Sequence, residues 1–230
     1  MTDIKTLYPG AEEGEAYTEK RVKSLQTDYG FDLDKTILAA SVCSDEIIRS
    51  ATNFRDYVAV ETPFQLGGLA GFPFTGLTGF GAFSAHIPEN GAAIIIYGPH
   101  IGLSEKHGIG KIIRSGQLKE SSCCGALVGA LNTLKTKNAG ELDRDYDYQQ
   151  WKLIDKLKEG RDQIVANEEP LTAATDLMFD KISERIKTLV EKSSPQLRNL
   201  KIALLGGIII NTDAGKPDWF EEREFDVLTY

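Results

Sequence analysis

Apolar and polar positions along this chain fall into two regimes. In the first, short unbroken apolar runs are bounded by glycine or turn residues. Ala92–Tyr97 reads Ala-Ala-Ile-Ile-Ile-Tyr between Gly91 and Gly98-Pro99, residues 201–210 have the same character, and residues 36–42 form a third run. Such runs suit strands covered on both faces, as in a parallel sheet between helices. In the second regime, apolar side chains recur every three or four positions, the spacing of one helix face. Residues 16–29 show it at Val22, Leu25 and Tyr29, with Gly30 as a C-terminal stop. Residues 148–166 show it at Trp151, Ile154, Leu157 and Ile164, and residues 172–192 at Met178, Ile182, Ile186 and Leu189, with Pro170 as the break between them. Residues 121–134 read as a further helix opened by serine. Residues 1–15 read as a loose lead-in, 58–60 as a short strand, 111–117 as a turn or short helix, and 225–228 as an edge strand. The order strand, helix, strand, three helices, strand predicts an α/β fold: a mainly parallel central sheet flanked by helices, in a single domain over residues 1–230.

Composition narrows the partners. Hydrophobic residues make up 41% of the 230, enough for a sizeable core, and the net charge of -8 argues against nucleic acid as the main partner. Apolar runs stop far short of the ~18 residues of a membrane span, and Met-Thr-Asp-Ile-Lys at the start does not read as a signal peptide, so no membrane partner is expected. The three cysteines, Cys43, Cys123 and Cys124, form no disulfide framework, which makes a reducing, cytoplasmic location the expectation.

The candidate chemistry lies where the apolar runs stop. Cys43 follows the first run, His100 follows Gly98-Pro99 after the second, and two adjacent cysteines open the helix after that. Open α/β sheets place ligands at the carboxyl ends of their strands. Two cysteines and one histidine with a fourth position open match a catalytic rather than a structural zinc site. Cys123 and Cys124 both lie near a helix N-terminus, which favours thiolate, and spacing does not choose between them. Between the first two ligand candidates runs a stretch, residues 62–83, with six glycines and four phenylalanines after Phe64. It matches neither GxxxxGK[ST] nor GxGxxG and so is not a phosphate loop. It reads either as a structural loop over a helix start or as an apolar pocket wall.

These segments resemble a known family. Cys43-x-Asp45, a downstream histidine and Cys124-Gly125 are similar to the ligand motifs of β-class carbonic anhydrases, although Ile47 stands where that class has arginine, and 24 positions separate His100 from Cys124 where that class has three. CSDEIIR, LGGLAGFPFTGLTGFGAFSAHIP, YGPHIG and SSCCGAL, from about residue 34 to 135, resemble the limiting-CO2-inducible B/C family, the θ class, with further support from GGIIINTD. The resemblance implies a β-carbonic-anhydrase-like fold, usually dimeric or of higher order. It implies zinc-dependent reversible hydration of CO2 to bicarbonate by zinc-bound hydroxide, with CO2 and bicarbonate as the small-molecule partners. Carried over by position, the zinc ligands are Cys43, His100 and Cys124, the last because it precedes Gly125, and Cys123 is a packed neighbour. Asp45 and Arg49 are the carboxylate–guanidinium pair beside the metal, on one helix face by their spacing. Phe72, Phe74 and Phe80 would supply an apolar slot for CO2, Gln65 a donor to a bicarbonate oxygen, and His107 a proton route to bulk water. Two other readings stand beside this one: a catalytically inactive zinc-containing homologue that binds bicarbonate or assembles with a partner, and a thiol redox protein built on Cys123 and Cys124, which lacks the Cys-x-x-Cys such proteins use.

Overall fold

A computed structural model describes residues 3–49, 53–58, 60, 62–136 and 142–230, with the backbone alone at Arg49. In chain order the helices and strands are α1 (Ile4–Leu7), β1 (Glu12–Glu13), α2 (Gly14–Thr27), β2 (Thr36–Ser41), β3 (Phe64–Gln65), α3 (Leu77–Ala85), β4 (Ala92–Tyr97), β5 (His100–Ser104), β6 (Gly108–Ile109), β7 (Lys111–Ile112), β8 (Ser121–Ser122), α4 (Gly125–Lys135), α5 (Tyr148–Lys158), α6 (Arg161–Ala166), α7 (Pro170–Lys192), β9 (Lys201–Asn211) and β10 (Trp219–Thr229).

The three unbroken apolar runs are the three central strands. β2 pairs with β4 and β4 with β9, both in parallel, and every residue of β4 is buried. An antiparallel β10 borders β9, and an eight-stranded sheet results. This is the mixed, mainly parallel sheet the sequence pattern predicts. Helices cover both faces. Glu222 of β10 accepts from Tyr17 and Arg21 of α2 at 2.9 and 2.7 Å, while its neighbour Arg223 donates to Asp176 of α7 at 3.2 Å. Alternation along a strand sends neighbours to opposite faces. Thus α2 lies on one side of the sheet and α7 on the other.

Several local expectations are revised. The lead-in is not loose: β1 pairs with β10, and Tyr8 and Ala11 are fully buried. Its apolar residues were too few to show a period, so only tertiary contact reveals its place. Residues 111–117 begin with a strand that pairs with Ser121–Ser122, and α4 therefore starts four residues later than the serine signal implied. The stretch 148–166 breaks at Gly160 into two helices, and Pro170 opens α7, where its missing N–H costs nothing. Residues 225–228 belong to an eleven-residue strand. The expected strand at 58–60 includes residue 59, outside the described residues.

Register places the ligand-bearing ends together. Ser41 is level with Tyr97, and Tyr97 with Gly206. The chain then steps sideways at Gly98 (φ +153°), whose missing side chain is required: a Cβ there would lie 1.7 Å from the Gly207 carbonyl oxygen. After the step, β5 resumes parallel pairing with β9, His100 opposite Ile209.

Candidate metal centre

Cys43 emerges two residues beyond β2, His100 opens β5, and Cys124 occupies the N-cap of α4. The last position is built by backbone pairing. Cys123 N–H donates to the Gly110 carbonyl (3.0 Å), and its own carbonyl accepts from Gly102 N–H (2.8 Å). Gly102 makes that approach feasible, since a Cβ there would sit 2.7 Å from the Cys123 Cβ. Held against β5 in this way, the cysteine pair divides: Cys124 Sγ lies 4.0 Å from Cys43 Sγ, and Cys123 Sγ lies 3.5 Å from His100 Nδ1.

The potential ligand atoms of Cys43, His100 and Cys124 all lie within 4.8 Å of one another, and all three residues are buried. Two sulfurs at ~2.3 Å from a tetrahedral zinc stand about 3.8 Å apart, close to the separation seen here. The histidine is oriented for the task. Its Nδ1 lies 2.8 Å from Asn211 Oδ1, which can only accept, so Nδ1 carries the proton and the Nε2 lone pair is free. His100 is fully buried, and its Nε2 has no hydrogen-bond partner among the described residues. A buried imidazole nitrogen without a partner is costly unless something binds it. The donor set and its spacing fit a zinc ion.

The three side chains perturb one another strongly. The Cys43 thiol is brought down to about 4, chiefly by its contact with the Cys124 thiol, against burial and with help from His100 and the Asp45 N–H. Cys124 moves the other way, well above the ordinary thiol value, because it is the hydrogen-bonding partner of Cys43 and is buried. Burial works to lower the His100 pKa, but the surrounding sulfurs, Cys124 first, outweigh it and raise it.

Asp45 lies beside this cluster, 13% exposed. Its Oδ2 accepts from Arg114 Nη2 at 2.6 Å and its Oδ1 from Ile47 N–H at 3.3 Å. Burial alone would raise its pKa, but Glu46, the Ile47 N–H, His100 and Arg114 hold it below the usual carboxylate range. The side chain of Arg49 is outside the described residues. Arg114 and Asn211 are site neighbours that the sequence reading did not select. Asn211 had a signal, since it is the asparagine of GGIIINTD; Arg114 stands alone in its loop and had none.

The other expected residues have the following surroundings. Gln65 is exposed on the two-residue edge strand β3, and its Nε2 donates to the Pro63 carbonyl (3.2 Å). Phe80 is fully buried and packs edge-on against Phe83 at 5.6 Å. Phe72 packs edge-on against Phe74 at 5.2 Å, and both wall a cavity of about 430 Å³ together with Tyr148, Lys152 and Arg185. The groove beside the metal cluster is a different one, of about 330 Å³, bounded by Glu46, Ile47, Ile112, Ile113, Arg114 and Asn211 among others. The ring of His107 lies 3.8 Å from Glu120. No helix among the described residues is long and apolar enough to cross a membrane.

Comparison with known proteins agrees with this geometry. The family of limiting CO2-inducible proteins B/C beta carbonic anhydrases matches residues 14–229. The crystal structure of PtLCIB4, a homolog of the limiting CO2-inducible protein LCIB, superposes with a TM-score of 0.88 at 30% identity, covering 98% of this chain and 94% of that one. The crystal structure of LCIB itself superposes with a TM-score of 0.73 at 19% identity, covering 97% and 92%. A search of curated protein sequences found no match.

Proposed function

This chain belongs to the limiting CO2-inducible protein B/C family, and from that premise we propose that it catalyses the reversible hydration of CO2 to bicarbonate at a zinc ion held by Cys43, His100 and Cys124. The observation that carries the reading is the buried cluster of these three side chains, with the His100 Nε2 unpartnered. When bound, zinc supplies a Lewis acid that brings the pKa of a coordinated water toward ~7.

The protein's part is to hold and orient. The two thiolates offset the charge of the ion, and burial of all three ligands keeps competing water away. Asn211 fixes the His100 tautomer and ring plane through Nδ1. Asp45, kept ionised, is an acceptor that orients the proton of the attacking water, and Arg49 is its proposed guanidinium partner four residues on. Ile47, Ile112 and Ile113 in the adjoining groove give apolar CO2 a non-polar approach. We further propose a homodimer or higher homo-oligomer in a reducing, cytoplasmic setting. Three buried free thiols support the second point; the glycine- and phenylalanine-rich segment, with Leu77 half exposed, supports the first.

The test is stopped-flow CO2 hydration by protein with its zinc content measured. The expected result is a rate above buffer that rises with pH. Fully zinc-loaded protein with no rate above buffer up to about pH 9 would defeat the enzyme reading, since water coordinated to zinc ionises near ~7, and would leave a zinc-containing binding or assembly module.

A further inference from the structure

We propose that Arg114 is a positioning residue: it locks the Cys43 segment to the Cys124 segment and fixes Asp45 between them. The metal in this inference rests on the function proposed above; the geometry of the lock does not.

The two cysteines come from stretches 81 residues apart in the chain. One runs from Cys43 to Glu46 beyond β2, the other from Ser121 to Cys124 before α4. Apart from the contact between the two sulfurs, the hydrogen bonds that link these stretches among the described residues run through one guanidinium. Arg114 Nη2 donates to Asp45 Oδ2 at 2.6 Å, and Nε to Glu46 Oε1 at 3.2 Å. On its other edge, Nη1 donates to Ser121 Oγ at 2.6 Å and to the Ser122 carbonyl at 3.3 Å. All four acceptors lie within three residues of a cysteine of the cluster.

The clamp is itself anchored. Ile113 N–H, one residue before Arg114, donates to Asp213 Oδ1 at 2.8 Å, and Asp213 Oδ2 accepts from Ser104 Oγ at 2.8 Å. The Ile113 carbonyl accepts from Ala214 N–H at 2.8 Å. The loop bearing Arg114 is thereby tied to the ends of β5 and β9, the strands that place His100 and Asn211. The Arg114 and Asp45 side chains are 14% and 13% exposed, so the charge-assisted bond between them is largely shielded from water, while Glu46 holds the fork from the exposed side. Only arginine fits the arrangement. Its planar fork presents donors on separate edges, one to each segment, whereas a lysine ammonium is a single point that serves one segment at a time.

The experiment compares wild type with Arg114→Met, Arg114→Lys, Asp45→Asn and the Arg114→Met/Asp45→Asn pair. Zinc release to an excess of chelator is measured beside CO2 hydration. Arg114→Met should release zinc about ten- to a hundredfold faster, the scale seen when a group supporting metal ligands is removed. Arg114→Lys should fall between, since it restores charge without the second edge. For hydration, Arg114→Met should reduce kcat substantially in wild type but little further in the Asp45→Asn background, because the residue acts through Asp45. Zinc release unchanged in Arg114→Met, full rescue by lysine, or independent multiplicative losses in the pair would each overturn the inference. If Arg114→Met does not fold, the lysine variant's release rate decides: release as slow as wild type overturns the lock. Wild-type protein that holds zinc but hydrates nothing defeats the proposed function alone and leaves the release comparison to judge the lock; protein that takes up no zinc defeats both.

Discussion

Two polar clusters lie on the central sheet, one half-buried and one fully buried, and their difference is the most instructive feature of the molecule. Tyr97, the last residue of β4, donates to Glu224 Oε2 at 2.7 Å. The same oxygen accepts from Ser183 Oγ at 2.6 Å, and Oε1 from Lys187 Nζ at 2.8 Å. Burial would raise the Glu224 pKa, but these three donors outweigh it and hold the carboxyl below its ordinary value. Every side chain there has its partner. Three residues after Tyr97, His100 opens the second cluster with Nε2 unpartnered, as is the buried Asn211 Nδ2. A satisfied network fixes a core. One that leaves a buried nitrogen beside two facing thiols has donors to spare for a ligand. The two differ in exposure, since Glu224 and Lys187 are partly open to water while His100 is fully buried, and in unused bonding capacity, which only the second keeps beside two thiols.

Breaking the second cluster should have the largest effect. Cys43→Ser, His100→Ala and Cys124→Ser should each lose bound zinc, while Cys123→Ser, whose sulfur sits behind the histidine, should largely keep it; metal analysis of the purified variants decides. The opposite result for the two adjacent cysteines would reverse the ligand assignment. Acid should act in the same direction as ligand loss, because protons compete for the two thiolates and the imidazole, so zinc occupancy should fall as pH is lowered.

Next in size is Asp45→Ala. It removes no ligand, so purified protein should still contain zinc, although Arg114 loses an acceptor and release to chelator should quicken, while hydration drops roughly 10²- to 10³-fold. Loss of zinc in this variant would show that Asp45 holds the site together instead of orienting water.

The saturated cluster should respond in stability alone. Glu224→Gln should cost about 1–3 kcal/mol by chemical denaturation, since three donors lose a charged acceptor, with zinc content and hydration rate unchanged. The pH sign follows from the lowered native pKa. The contribution is full above the ordinary glutamate range and is lost as pH falls through the native value, so the stability gap between wild type and Glu224→Gln should close in acid. A zinc deficit in Glu224→Gln would erase the distinction between the clusters. Smallest should be Tyr97→Phe, which leaves Glu224 two of its donors and should cost about 1 kcal/mol.

The sequence by itself determined the three central strands, the fold class and the Cys43, His100 and Cys124 cluster that we propose holds the metal. Unbroken apolar runs can be satisfied only between two layers, so residues 36–42, 92–97 and 201–210 declared a parallel sheet, and the residues just past those runs were bound to meet at one sheet edge. Family motifs then separated Cys124 from Cys123, a choice that spacing had left open. Only the tertiary structure decided what surrounds those ligands. Arg114 reaches Asp45 from 69 residues away, and Asn211 reaches His100 across β5 and β9; hydrogen bonds between distant segments leave no local period to read. The same holds for the short pieces. β1, β7 and β8 are two residues each, too brief for any alternation to register, and they exist because a neighbouring strand offers them partners.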